Sequence, residues 1–265
     1  MGTLHSFAET SVLYSLSGLL VGLLVGLTGV GGGSLMTPLL VLLFGVHPTT
    51  AVGTDLLYAA VTKSSGTLVH GLNKNVEWRV SLLLAAGSIP STALTLLILS
   101  QFDLKSSQAN HVISLILGIA LMFTALSLIF RRGLLNFASR HIGELPPRQV
   151  VGLTILTGAI LGSLVSISSV GAGAIGVTAL ILLYPRLPIA RIIGSDIAHA
   201  VPLTLLAGIG HWVMGTIDWG LLGSLLVGSI PGIVFGSYIS ARVPETVLRP
   251  ILAGTLLIVA SRLVS

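Results

Sequence analysis

The sequence predicts an all-α polytopic membrane protein of eight to ten membrane segments, built from two homologous, inverted repeats that each open on a glycine-broken helix. Three observations lead there. The 265-residue chain is 53% hydrophobic and 8% charged, whereas a soluble domain carries roughly 25% charged residues; with a mean hydropathy of +1.03, a globule of this size could not hide its apolar surface. Stretches free of Asp, Glu, Lys and Arg recur at Thr10–Thr54, Val80–Phe102, Ser106–Phe130, Gln149–Pro185, Ile197–Ile217 and Trp219–Ala241, and about 20 such residues span a bilayer as helix. They lack the period-2 alternation of outer-membrane strands. Third, the chain repeats itself. Gly18, Gly22, Gly31 and Gly33 match Gly158, Gly162, Gly171 and Gly173, and Pro48 matches Pro188. After a one-residue slip, Gly53-Thr54-Asp55 matches Gly194-Ser195-Asp196, His70 matches His211, Trp78 matches Trp219, and Gly87-Ser88-Ile89-Pro90 returns as Gly228-Ser229-Ile230-Pro231.

The elements follow in order. Residues 1–130 form the first repeat. A helix from near Ser11 is interrupted at Gly29–Gly33, because glycine admits backbone angles that break a helix and lets other groups approach. A short helix, Ser34–Phe44, and three apolar segments follow: Thr50–Leu72, Val80–Gln101 and Ser107–Phe130. Residues 131–148, polar and containing Pro146-Pro147, are the cytoplasmic linker. Residues 149–265 form the second repeat, with its break at Ser168–Gly173 and segments Ile189–Met214, Trp219–Ala241 and Val247–Val264. Met1–Ser11 has no Lys or Arg and does not read as a cleaved signal peptide.

If each opening segment crosses once, a repeat has four spans and both repeats face the same way. If it crosses twice, each has five and the repeats are inverted. With five spans, Lys74, Arg79, Arg131, Arg132, Arg140, Arg148, Arg186, Arg191, Arg242 and Arg249 share one face, leaving Lys105 and Arg262 on the other. The positive-inside rule favours that arrangement. Against it, Ser34–Phe44 covers only about 16 Å at 1.5 Å per residue.

Composition excludes several chemistries. Without cysteine there are no disulfides, thiol nucleophiles or Cys-ligated metals. The formal charge of +5 orients loops in a membrane protein and does not imply nucleic acid. No cofactor motif is present, and Gly29–Gly33 completes neither a dinucleotide fingerprint nor a phosphate loop.

Residues at membrane depth carry the functional expectation. Helices that start after a glycine turn present bare N–H groups and a positive dipole end, an anion site without full charge. Thr28, Gly29, Gly31, Gly32, Gly33 and Ser34 supply it in the first repeat, and Ser168, Ser169, Gly171 and Gly173 in the second. The competing reading is close packing through small residues, which accounts for Gly18, Gly22, Gly26, Gly158 and Gly162. Lys63 lies within a span, where charge is costly and tends to mark a pathway; it either attracts the anion or neutralises an aspartate. Asp55 and Asp196 hold matching positions. His199 stands one turn from Asp196, as Tyr58 does from Asp55. Asp55, Asp196 and His199 are the candidates for carrying coupled protons, the alternative being structural capping or pairing with Lys63. His70 and His211 sit near helix ends, where meeting water suffices as a role. Trp78 and Trp219 read as interfacial anchors, and Pro90 and Pro231 as kinks.

Val25-Gly26-Leu27-Thr28-Gly29-Val30-Gly31-Gly32-Gly33-Ser34-Leu35-Met36-Thr37-Pro38-Leu39 resembles the signature of the TauE/SafE family, as do Pro48, the Thr49–Thr54 stretch and the Gly-Ser-Ile-Pro element. The resemblance covers nearly the whole chain. It implies a multi-pass transporter of the sulfite and organosulfonate class in the bacterial inner membrane. The second repeat departs from the signature at Ala172, Ala174 and Thr178, which predicts unequal half-sites. The expected partners are a small anion, the lipid bilayer and coupled protons. A channel for a small solute, and an intramembrane enzyme using Ser168 or Ser169 with His199 or His211, are the alternatives.

Overall fold

A computed structural model of the chain describes residues 2–28, 33–72, 74–104, 106–141, 146–239 and 245–264. Ten helices are described: α1 Gly2–Thr28, α2 Gly33–Leu42, α3 Pro48–Leu72, α4 Trp78–Leu99, α5 Ser107–His141, α6 Pro147–Ser168, α7 Ala174–Leu183, α8 Ile189–Val213, α9 Trp219–Ile239 and α10 Glu245–Val264. Among the described residues, five are long and apolar enough to cross a membrane: Trp78–Leu99, Ser107–Phe130, Pro147–Ser168, Ile189–Val213 and Trp219–Gly236. The arrangement is that of an all-helical membrane protein.

Two elements differ from expectation. α1 begins at Gly2 rather than near Ser11. α5 runs on to His141, so most of the stretch expected as linker is helical. Arg131–His141 holds three Arg and two Leu, which favour helix, and the first proline waits until Pro146. Helix propensity there outlasts the apolar pattern that sets the span.

The interior mixes apolar side chains such as Leu56, Leu117 and Leu161 with many small and polar groups, while large apolar side chains also cover the outside, the pattern of helices packed in lipid. α4 buries Val80, Ser81, Leu84, Gly87, Ser88, Thr92 and Thr95, while Leu82, Leu94 and Leu97 are exposed. Glycines bring backbones together at two helix pairs. On α1, a Cβ at Gly18 or Gly22 would overlap the carbonyls of Leu225 or Ser229 on α9. On α6, a Cβ at Gly158 or Gly162 would overlap those of Leu84 or Ser88 on α4. The packing reading of these four glycines agrees with that geometry.

α3 and α8 lie side by side and antiparallel. Gly53 of α3 meets His211 near the far end of α8, Leu57 meets Gly208, Gly66 meets Ile197, and His70 meets Gly194 near the start of α8. Both helices are latched to loops through hydroxyls. Thr54 Oγ1 accepts from the Asp218 amide at 3.1 Å, and Ser195 Oγ accepts from the Glu77 amide at 2.8 Å. Thr49 Oγ1 donates to Leu104 O at 3.0 Å, so loops 43–47, 100–104 and 214–218 gather at one end of the molecule. Those loops carry Asp103 and Asp218, with Lys105 as the one Lys or Arg in their sequence. Glu77 and Ser195 mark the other end, where Lys74, Arg79, Arg186 and Arg191 lie.

Candidate functional site

The site is built along the α3–α8 seam, where α6 breaks and restarts as α7. Ser168 closes α6 with its own side chain: Oγ donates to Leu164 O at 2.7 Å and accepts from the Val170 amide at 3.2 Å. Ser169 follows in the left-handed region at φ 58. Gly171 and Gly173 have φ of 123 and 127, angles an L side chain rarely adopts. Among the described residues, no backbone hydrogen bond outside the helices starts from the amides of Gly171, Ala172, Gly173, Ala174 or Ile175. The break therefore presents a run of unpaired donors at the positive end of α7.

This segment passes three charged groups in order. Ser169 faces Asp55, near enough to interact, although its Oγ lies outside hydrogen-bonding geometry and has no partner. Ala172 O accepts from Lys63 Nζ at 3.4 Å. Gly176 packs directly on Asp196: a Cβ there would overlap Asp196 Oδ1. Asp55, Lys63 and Asp196 are all buried. Lys63 interacts electrostatically with Asp196 first and Asp55 second, and it forms no close ion pair with either among the described residues. An ammonium has three donors, and one weak bond leaves the others for a ligand.

The polar atoms around these charges are unusually short of partners. Asp55 Oδ1, Tyr58 Oη, Ser169 Oγ, Asp196 Oδ1, His199 Nδ1 and Ser229 Oγ are buried and unpartnered. Buried polar groups are paired in the large majority of cases, so a cluster of exceptions calls for a ligand, water or ion. The remaining bonds hold the cluster in place. Thr37 Oγ1 of α2 donates to Asp55 Oδ2. His199 Nε2 pairs with Ser88 Oγ at 2.8 Å, and Tyr58 lies beside Ser229, which holds the position in α9 that Ser88 holds in α4. His211 differs: Nδ1 pairs with Thr216 Oγ1 at 3.0 Å and Nε2 donates to Ser166 O at 2.9 Å. Both its nitrogens are used in fastening helix ends. Among the described residues, no group of three or more His, Asp and Glu is placed to hold a metal ion.

The comparisons with known proteins decide the class. The sequence matches "Sulfite exporter TauE/SafE" over residues 14–263. This chain belongs to the TauE/SafE family. It is 40% identical over 255 residues to "Probable membrane transporter protein YjnA" of Bacillus subtilis, covering 96% of this chain and 100% of that one. "Probable membrane transporter protein YdhB" of the same organism is 27% identical, covering 90% and 96%. "Probable membrane transporter protein MJ0441" of Methanocaldococcus jannaschii is 26% identical, covering 81% and 76%. No solved structure matches. The chain is thus a membrane transporter of the TauE/SafE family, and the names of its relatives point to transport, not catalysis.

Within this TauE/SafE chain, the residues singled out from sequence divide three ways. Lys63, Ser169, Gly171, Gly173, Asp55, Asp196 and His199 meet along the seam. Ser168 bonds within its own turn, and Ser34 is buried at the start of α2, where Gly33 is the first residue. Gly29, Gly31 and Gly32 lie outside the described residues, as does the side chain of Thr28, the last residue of α1. Sequence reasoning missed Thr37, Ser88, Ser229, Gly176 and the Ala172 carbonyl. The repeated Gly-Ser-Ile-Pro element pointed at both serines, but its proline drew the attention.

Proposed function

We propose that the chain is a secondary-active carrier of a small oxyanion, sulfite or an organosulfonate, in the bacterial cytoplasmic membrane. The observation that carries this reading is the bare amide run of Gly171–Ile175 beside Lys63 Nζ, buried at the helix break. An anion seated there accepts from backbone N–H groups, from the ammonium and from Ser169. Discontinuous helices that aim N-terminal amides at an anionic substrate are a recurring transporter device. Thr28, Gly29, Gly31, Gly32, Gly33 and Ser34 supply the matching half-site, and Ala172 and Ala174 make the two unequal.

The reading includes two inverted repeats that rock to alternate access. Its support is a contact scheme that maps onto itself. The α1–α9 packing corresponds to α6–α4, and the Thr54–Asp218 latch corresponds to Ser195–Glu77. The antiparallel α3 and α8 are the matching helices of the two halves. Two buried carboxylates against one ammonium leave the seam with excess negative charge, which opposes an incoming anion. A proton on a carboxylate relieves that opposition, so Asp55 and Asp196, with His199, couple proton and anion movement.

A thermal-shift screen of the purified protein against sulfite, sulfate, thiosulfate, sulfoacetate, taurine and small carboxylates tests the substrate class. A ligand at 100 times its Kd stabilises the folded state by about 2.7 kcal/mol. A selective shift with a sulfur oxyanion or sulfonate is the expected result. Stabilisation by none of these anions overturns the reading.

A further inference from the structure

Resting on the carrier reading, we propose that the two buried carboxylates serve opposite sides of the membrane: Asp55 exchanges its proton with the extracytoplasmic solution and Asp196 with the cytoplasm. The geometry behind this is the antiparallel α3–α8 pair. Asp55 is the residue after Thr54, which the Asp218 amide holds at the end of the molecule whose loops carry Asp103 and Asp218 and, in sequence, Lys105 as the single Lys or Arg. Asp196 is the residue after Ser195, which the Glu77 amide holds at the end with Lys74, Arg79, Arg186 and Arg191. The positive-inside rule makes the second end cytoplasmic. Each carboxylate lies seven residues into its helix, about 10 Å at 1.5 Å per residue. The two entry depths are therefore equal and opposite.

Lys63 lies between them. It is eight residues past Asp55 on α3, about 12 Å along the axis, and interacts with both carboxylates. An anion coming from either side meets one carboxylate before it reaches the ammonium. While ionised, that carboxylate repels the anion; protonated, it becomes a neutral hydroxyl donor. Each keeps Oδ1 buried and unpartnered, free to take the proton. The proton comes from the facing solution and leaves to it, with no other bond made or broken.

The other ionisable groups around the seam are few. Asp55 faces Lys63 and Tyr58 of its own helix; α2 and α7 have no ionisable side chain, α9 has only Tyr238, α6 only Arg148 in its first turn, and α5 has His111 near its start and Arg131, Arg132, Arg140 and His141 beyond the span. Asp196 faces Lys63. His199 and Arg191 lie on its own helix, with His70 on α3 and Arg79 on α4, and Arg191 pairs with Glu77 at 3.7 Å. His211 is held at both nitrogens.

The test uses sealed right-side-out and inside-out membrane vesicles from cells producing the full chain, with radiolabelled sulfite as the probe and pH varied on one face at a time. Wild-type flux rises as either face is acidified, by up to about tenfold per pH unit for one proton. Asp55→Asn loses the response to extracytoplasmic pH and keeps the cytoplasmic one, and Asp196→Asn does the opposite. Because the chain has no cysteine, Asp55→Cys and Asp196→Cys provide a second measurement that needs no flux. A membrane-impermeant maleimide labels the first only in right-side-out vesicles and the second only in inside-out vesicles. Both Asn variants losing sensitivity to the same face, or either cysteine labelling from the wrong face or from neither, overturns the sidedness alone. A wild type that moves neither radiolabelled sulfite nor, as a second probe, radiolabelled sulfoacetate at any pH overturns the carrier reading, and the proposal with it.

Discussion

Replacing Lys63 by Met removes the single ammonium at the seam while keeping an unbranched side chain of similar length. In the protein as it stands, Nζ makes one long bond, 3.4 Å to Ala172 O, so two of its three donors are available to an anion. Hydrogen bonds to charged groups contribute about 1.5–3 kcal/mol each. Counting two at the low end gives about 3 kcal/mol, or about a hundredfold in affinity at 1.4 kcal/mol per decade. The expected outcome is therefore a sulfite Kd raised about a hundredfold in Lys63→Met, measured by titration calorimetry on detergent-purified protein. The unliganded variant should remain monodisperse, because Lys63 forms no close ion pair whose loss would strand a partner. Lys63→Arg, which keeps the charge, should recover part of the affinity. A Kd within threefold of wild type in Lys63→Met would refute the placement of the anion beside this ammonium.

Further outcomes follow from the same geometry. Gly173→Val forces a β-branched residue into φ 127, ψ −84, a region costing about 1–3 kcal/mol for a side chain; it should abolish the sulfite-induced thermal shift while circular dichroism still reports a helical protein. Gly87→Val should lower the apparent melting temperature sharply, because even a Cβ there overlaps Ile155 O and crowds the Ala159 amide. By contrast Gly223→Ala, with nothing within 4 Å, should leave it unchanged or raised by the equivalent of about 0.4–1 kcal/mol. Ser88→Ala strips His199 of its Nε2 partner, and leaving a buried group unsatisfied costs about 1–3 kcal/mol, which denaturant titration reads. Glu77→Gln should change stability by less than about 1 kcal/mol, since its 3.7 Å pair with Arg191 is 36% and 46% exposed and surface pairs contribute little.

Much of the architecture was legible because apolar length and glycine placement leave direct marks on a sequence. The second break falls at Ser168–Gly173 as expected, since Gly171 and Gly173 take angles that other residues resist. The packing glycines Gly18, Gly22, Gly158 and Gly162 were legible for the same reason: a backbone can approach only where no side chain stands. Partners in space were harder. Thr37, which bonds Asp55, has Val177 as its counterpart in the second repeat, so no repeat match flagged it. The Ala172 carbonyl that receives Lys63 is a backbone group, and sequence does not say which backbone groups a break leaves bare. His211 read as an interfacial residue, whereas burial and two hydrogen bonds make it a fastener. The helical reach of α5 past Phe130 was missed because hydropathy marks the edge of a span, and the helix beyond it is set by residues suited to water.

The seat of the anion is the central feature of the transporter. Selenite has the shape and charge of sulfite, and selenium scatters anomalously, so crystals of the protein grown with selenite would place the ligand without ambiguity. One dominant anomalous peak is expected on the α3–α8 seam, within about 4 Å of Lys63 Nζ and of at least one amide from Gly171 to Ile175, a distance set by hydrogen bonds of about 3 Å plus a selenium–oxygen bond. A dominant peak elsewhere, with those amides left facing protein or lipid, would contradict it.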